Sequence, residues 1–149
     1  MNVIDWGSEP TEVFMNDDNT FNQTAFNAAS DWSDASAPAA GKNYRNQSAD
    51  GTTAYVLRTP GSSTGAFTFA GNRLSLYLTP QLVPTGTPSF MFKSSGVITI
   101  DNCISYGARF HQQQTSVTAP NPARIAGNMY LVEGTTTTFC LQGDTTGIP

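Results

Sequence analysis

The chain has 149 residues, a net charge of −4 and only 12% charged residues, which suits one domain and argues against a nucleic-acid partner. Its seven Lys and Arg are scattered with no two adjacent, whereas a phosphate-binding face needs them clustered. Hydrophobic residues reach 38% and aromatics 11%, so an ordered chain with a thin core is expected. No membrane insertion is expected either, because nothing approaches the roughly 18–20 apolar residues of a span.

In chain order, Met1 to Pro10 carries acidic residues and no apolar core. It is not an intact secretory signal, so a processed chain or a segment of a longer one is expected. Residues 1–50 read as an irregular N-terminal cap, with Phe14, Phe21, Phe26 and Trp32 set among small polar residues. Thr20 to Ala29 predicts a short helix with Asn19 as its cap, and Ala37 to Gly41 a loop. Residues 51–149 carry the strand signals, forming one compact unit with 1–50. The predicted strands are Thr53–Arg58, Ala66–Phe69, Leu74–Leu78, Phe90–Lys93, Val97–Ile100, Ile104–Tyr106, Ala108–Gln112, Arg124–Ile125, Met129–Val132 and Thr136–Leu141. Pro-rich loops at Thr79–Pro88 and Thr118–Pro122 interrupt them.

An internal echo organises these strands. Phe69-Ala70-Gly71-Asn72-Arg73-Leu74 returns as Ile125-Ala126-Gly127-Asn128-Met129-Tyr130, with a degenerate copy at Ile100-Asp101-Asn102-Cys103-Ile104. Aligning Phe69, Ile100 and Ile125 gives steps of 31 and 25 residues. Periods of about 20–50 residues mark stacked-coil architectures. The expected fold is therefore all-β, a single-chain parallel β-helix (solenoid) with an irregular N-terminal cap. The alternative is a β-sandwich or jelly roll whose Gly-Asn pairs make hairpin turns.

Ser30-Asp31-Trp32-Ser33-Asp34, Ala37-Pro38-Ala39-Ala40-Gly41-Lys42-Asn43-Tyr44, Leu57-Arg58-Thr59-Pro60 and Phe67-Thr68-Phe69-Ala70-Gly71-Asn72-Arg73-Leu74-Ser75-Leu76 follow one another in a familiar order. Over residues 20–132 the chain resembles repetitive segments of large surface proteins of Verrucomicrobia-like bacteria. Those are similar in style to the β-helical passengers of autotransporters. The resemblance implies architecture and a cell-surface location; it brings no catalytic residues. The chain departs from it in its long Pro-rich loops and two cysteines.

Residues that could carry chemistry are few. His111 is the single histidine, and its sequence neighbours Arg109, Phe110 and Gln112 include no metal ligand. Asp17, Asp18, Asp31 and Asp34 match no calcium-loop spacing and read as solvated loop acids. Sugar-cleaving β-helices gather paired carboxylates, and here Asp101 alone lies beside a predicted strand. No catalytic residue, metal site or cofactor is expected. Cys103 and Cys140 are a candidate disulfide, with free thiols or a bond between subunits the alternatives. Trp6, Trp32, Tyr44 and Tyr77 are candidate sugar-stacking aromatics, against the plainer reading of core packing. Asn22-Gln23-Thr24 and Asn46-Gln47-Ser48 are glycosylation sequons.

The expected function is that of a non-catalytic extracellular structural protein, a surface-stalk block or self-assembling fibre subunit. Its partners would be other copies of itself or neighbouring domains of a longer chain. The alternative is a carbohydrate-binding module of a secreted protein, with glycans as partners.

Overall fold

The computed structural model describes residues 10–20, 25–60, 67–78, 88–92, 97–113, 124–134 and 138–142. Over these residues the chain is all-β, and all nine strand pairings are parallel. The strands are β1 (Thr11–Phe14), β2 (Lys42–Arg45), β3 (Leu57–Arg58), β4 (Phe67–Thr68), β5 (Arg73–Tyr77), β6 (Phe90–Phe92), β7 (Val97–Thr99), β8 (Cys103–Tyr106), β9 (Arg109–Gln113), β10 (Arg124–Ala126), β11 (Met129–Leu131) and β12 (Thr138–Gln142).

They form three sheets: a five-stranded one ordered β1-β2-β5-β8-β11, a three-stranded one ordered β10-β7-β4, and a four-stranded one ordered β12-β9-β6-β3. From β4 onward the chain visits the three-, five- and four-stranded sheets in that order three times. The passes are β4-β5-β6, β7-β8-β9 and β10-β11-β12, and each strand lies beside its counterpart in the previous pass. A sandwich built on hairpins needs antiparallel neighbours. Gly71-Asn72 instead links β4 to β5, which belong to different sheets, so the hairpin alternative does not describe this chain.

Strand alternation fixes what faces inward. In β5, Leu74 and Leu76 are buried while Arg73 and Tyr77 are only partly so. In β8, Cys103 and Ser105 are buried between the more open Ile104 and Tyr106. Register then stacks like on like, and Val13, Tyr44, Leu74 and Cys103 form one buried row across the five-stranded sheet. Leu57, Phe90 and Phe110 form another in the four-stranded sheet. Each such apolar side chain contributes about 1.5–3 kcal/mol of burial.

The echoed Asn residues stack at the corner leading into the five-stranded sheet. The Asn72 amide N donates to the Lys42 carbonyl at 2.8 Å, and the Leu74 and Cys103 amides donate to the Asn102 and Asn128 carbonyls at 3.2 and 2.9 Å. Asn102 Nδ2 adds a bond to the Asn72 carbonyl at 3.2 Å. The two echoed glycines serve different needs. Gly127 has φ +111°, where an L side chain is strained, and a Cβ there would overlap the Ile100 carbonyl. Gly71 is required for space, because a Cβ would strike the Phe69 and Tyr44 rings.

Register also corrects the alignment of the echo. Phe67 pairs with Ile98, a step of 31 as expected, but Ile98 pairs with Ile125, a step of 27. Ile125 is therefore the counterpart of Ile98 rather than of Ile100, because fewer residues separate β10 from β11 than separate β7 from β8.

The boundary at residue 50 falls inside the sheets. β1 and β2 both precede it and both belong to the five-stranded sheet. Within the helix expected over Thr20 to Ala29, residues 21–24 lie outside the described set, and the described part holds 3-10 turns at Ala25–Asn27 and Ala29–Asp31. The side-chain amide of Asn19, the expected cap, is held by β3.

Candidate functional site

Two of the candidate sugar-stacking aromatics are core. Trp32 and Tyr44 are fully buried and pack edge-to-face, centroids 5.0 Å apart. Phe69 joins them at 6.1 Å from Trp32 and 5.3 Å from Tyr44, and Phe26 meets Phe69 at 5.6 Å. Their polar handles are satisfied internally: Trp32 Nε1 donates to the Phe26 carbonyl at 3.0 Å, and the Tyr44 hydroxyl accepts from the Ala39 amide at 2.9 Å. No face of either ring is left for a ligand. Trp6 lies outside the described residues.

Tyr77 is half-buried on the outer face of the five-stranded sheet. Its ring lies flat against that of Tyr106, its register partner, with centroids 4.3 Å apart and planes 1° from parallel. One ring face is thereby covered. Burial, followed by the neighbouring Tyr106, raises the Tyr77 hydroxyl pKa. Arg45 sits nearby with its guanidinium 4.3 Å from the centroid of Phe14, its partner on β1. Arg73 pairs with Glu12 at 2.7 Å, and Asn43 Nδ2 donates to the same carboxylate at 3.0 Å. The Arg73–Glu12 ion pair is exposed and contributes about 0–1 kcal/mol.

The two ends of the sheets differ in how their outermost strands are treated. At the β3 edge, Asn19 Nδ2 donates to the Arg58 carbonyl at 2.9 Å while its Oδ1 accepts from the Arg58 amide at 2.6 Å. Asp18 Oδ1 accepts from the Val56 amide at 2.7 Å. At the β4 edge, Asn27 Nδ2 reaches the Thr68 carbonyl at 3.4 Å. Side chains of the segment between β1 and β2 thus occupy backbone groups that a further strand would use. At the other end, β10, β11 and β12 each have one neighbour among the described residues. Leu131 lies in register with the buried Ser105 and so continues the core row of Leu76, yet it is 62% exposed. Tyr130 beside it is 55% exposed. Sequence reading found the strand but missed this exposure. A terminal strand carrying a large apolar residue on both faces was the available signal.

Cys103 is a free, buried thiol, and its burial pushes its pKa up to about 12. Of the candidate Cys103–Cys140 pair, Cys103 is thus a free thiol on β8, while Cys140 lies on β12 with its side chain outside the described set. The loop acids do separate work. Asp34 binds Lys42 at 2.6 Å. Burial raises the Asp31 pKa against hydrogen bonds from Ser30 and Asn19. Among the described residues no three His, Cys, Asp or Glu side chains gather as metal ligands, and no helix is long and apolar enough to cross a membrane. Asn46, in the second sequon, is fully buried, its amide bonded to the backbone of Tyr55 and Tyr77. It is closed to glycosylation in the folded chain.

Comparison with protein-family models, with curated proteins and with solved structures finds no match for this chain.

Proposed function

We propose that the three sheets belong to one β-solenoid and that the chain is a non-catalytic structural block of an extracellular stalk or fibre. The repeated order of sheets supports the solenoid, since three successive passes stack in parallel register. The observation that carries the functional reading is Leu131, a core-row residue exposed at the last pass. An apolar row that ends in the open is a stacking surface, and natural solenoids cover it with a cap or with more coils. Asp18, Asn19 and Asn27 supply such cover at the opposite end. The asymmetry favours growth or joining through β10, β11 and β12 over a filament extended equally from both ends.

The test is the state of association of the purified chain, read by light scattering and negative-stain electron microscopy across a concentration series. Stacked particles that dissociate in Leu131→Lys are expected. Monomers at every concentration, unaffected by that substitution, would overturn self-assembly through this end.

A further inference from the structure

The two ends of the sheets are not built to mate with each other. At the first end, each of the outer strands β1, β3 and β4 has backbone groups held by the segment between β1 and β2. Asn19 holds the Arg58 amide and carbonyl on β3, and Asn27 holds the Thr68 carbonyl on β4. On β1, the Phe14 carbonyl accepts from the Ser33 amide at 2.8 Å, and the Phe14 amide donates to Ser33 Oγ at 3.0 Å. A second copy offering its last pass to this end would have to displace these bonds.

The last pass differs. The Asn128 carbonyl accepts from the Cys103 amide at 2.9 Å, and the Val132 amide donates to the Ser105 carbonyl at 3.1 Å, so both face β8. Backbone direction alternates along a strand. Tyr130 therefore faces β8 too, while Met129 and Leu131 turn their amides and carbonyls to the open edge. Side chains also alternate. Met129 and Leu131 are in register with the buried Cys103 and Ser105 and take the core side, and Tyr130 takes the outer side with Ile104.

We propose that two copies of the chain join tail to tail, their β11 strands antiparallel about a twofold axis at Tyr130. The proposal rests on the reading of the last pass as a joining surface and names what joins it. The edge is self-complementary in this register. With Tyr130 opposite its own counterpart, Met129 lies opposite the partner's Leu131, and Leu131 opposite the partner's Met129. Each pair exchanges two amide–carbonyl bonds, which engages every outward group of both residues and sets apolar against apolar on the core side. A register centred on Leu131 would put Met129 opposite the charged Glu133 of the partner subunit. One centred on Met129 would put Leu131 opposite the partner's Gly127, which has no side chain to cover it. A pair joined this way presents only first ends outward, so assembly stops at two.

The test combines two measurements on the full chain. The native protein is followed by sedimentation and light scattering over a concentration series, and Tyr130→Cys is oxidised with diamide and mapped by peptide mass spectrometry. Particles of twice the chain mass that grow no further are expected, with a disulfide joining position 130 of one copy to position 130 of the other. Opposed antiparallel residues that exchange no bonds lie with Cα atoms about 4.5 Å apart, within a disulfide's reach. Stacks that lengthen with concentration would overturn the twofold and leave the joining surface standing. Monomers at every concentration would overturn both. Dimers in which position 130 links to Cys103, to Cys140 or to nothing would overturn the pairing. Tyr130 is 55% exposed, so its replacement is mild for folding, and the native masses decide the stoichiometry without it.

Discussion

Asn19 precedes Arg58 by 39 residues, yet its side-chain amide grips both backbone polar groups of Arg58, at 2.9 and 2.6 Å. One amide thereby does for the β3 edge what a neighbouring strand would do. Asn19→Ala removes two hydrogen bonds from part-buried backbone groups, each worth about 0.5–1.5 kcal/mol net. A loss of about 2 kcal/mol is expected, measured as a lower urea midpoint at unchanged slope. Asn19→Asp should not restore it, because an ionised carboxylate cannot donate to the Arg58 carbonyl. Full recovery by Asp would show that the bond donated to the Arg58 carbonyl contributes nothing.

Gly127 can be tested by adding one methyl group. Its φ of +111° and the Ile100 carbonyl in the way are both backbone constraints, which side-chain rearrangement cannot relieve. Gly127→Ala should lose about 1–3 kcal/mol from conformation alone, with the steric overlap adding to it. Urea unfolding within about 0.5 kcal/mol of wild type would contradict this geometry.

Asp50 makes the acid limb of stability partly predictable. Its Oδ1 accepts from the Ser48 hydroxyl at 2.6 Å, the Thr52 amide at 3.0 Å and the Thr52 hydroxyl at 2.9 Å. These bonds, that from Ser48 foremost, lower its pKa from 3.8 to about 2. A carboxyl depressed on folding stabilises above its unfolded pKa, and that contribution is lost as pH falls through the folded value. The stability gap between wild type and Asp50→Asn should therefore be full above pH 3.8 and close towards pH 2. A gap independent of pH over that window would refute it.

Cys103 should be chemically silent in the folded state. Its buried thiol, with a pKa of about 12, holds almost no thiolate at neutral pH. Alkylation at this position, followed by peptide mass spectrometry at about pH 8, should proceed only as fast as the chain unfolds. Rapid labelling under native conditions would show that the site opens locally.

Much of the strand pattern was legible because alternation announces itself: Leu74, Leu76 and Leu78 between Ser75 and Tyr77 predicted a strand, and β5 lies there. β1 and β2 were missed. In Lys42-Asn43-Tyr44-Arg45 three of four residues are polar, and Asn43 is buried only because Glu12 and Asn72 engage its side chain. No local pattern reports a partner that arrives 31 or 29 residues away. The same limit hid the role of Asn19, whose partner Arg58 lies 39 residues on. Trp32 and Tyr44 were ambiguous for a different reason, since an aromatic suits a core and a sugar face alike, and burial alone decides between them.

The parallel register has a kinetic consequence. Each paired residue finds its partner between 20 positions away, as for Phe90 and Phe110, and 33, as for Leu57 and Phe90. No two of these strands can zip together by reversing direction at a two-residue turn, so every pairing begins with the closure of a sizeable loop. Contact order is high for a chain of this length, and refolding should be slow beside that of a helical bundle of equal size. Once one pass is fixed, it offers a ready template for the next, and the later passes would add to it in sequence.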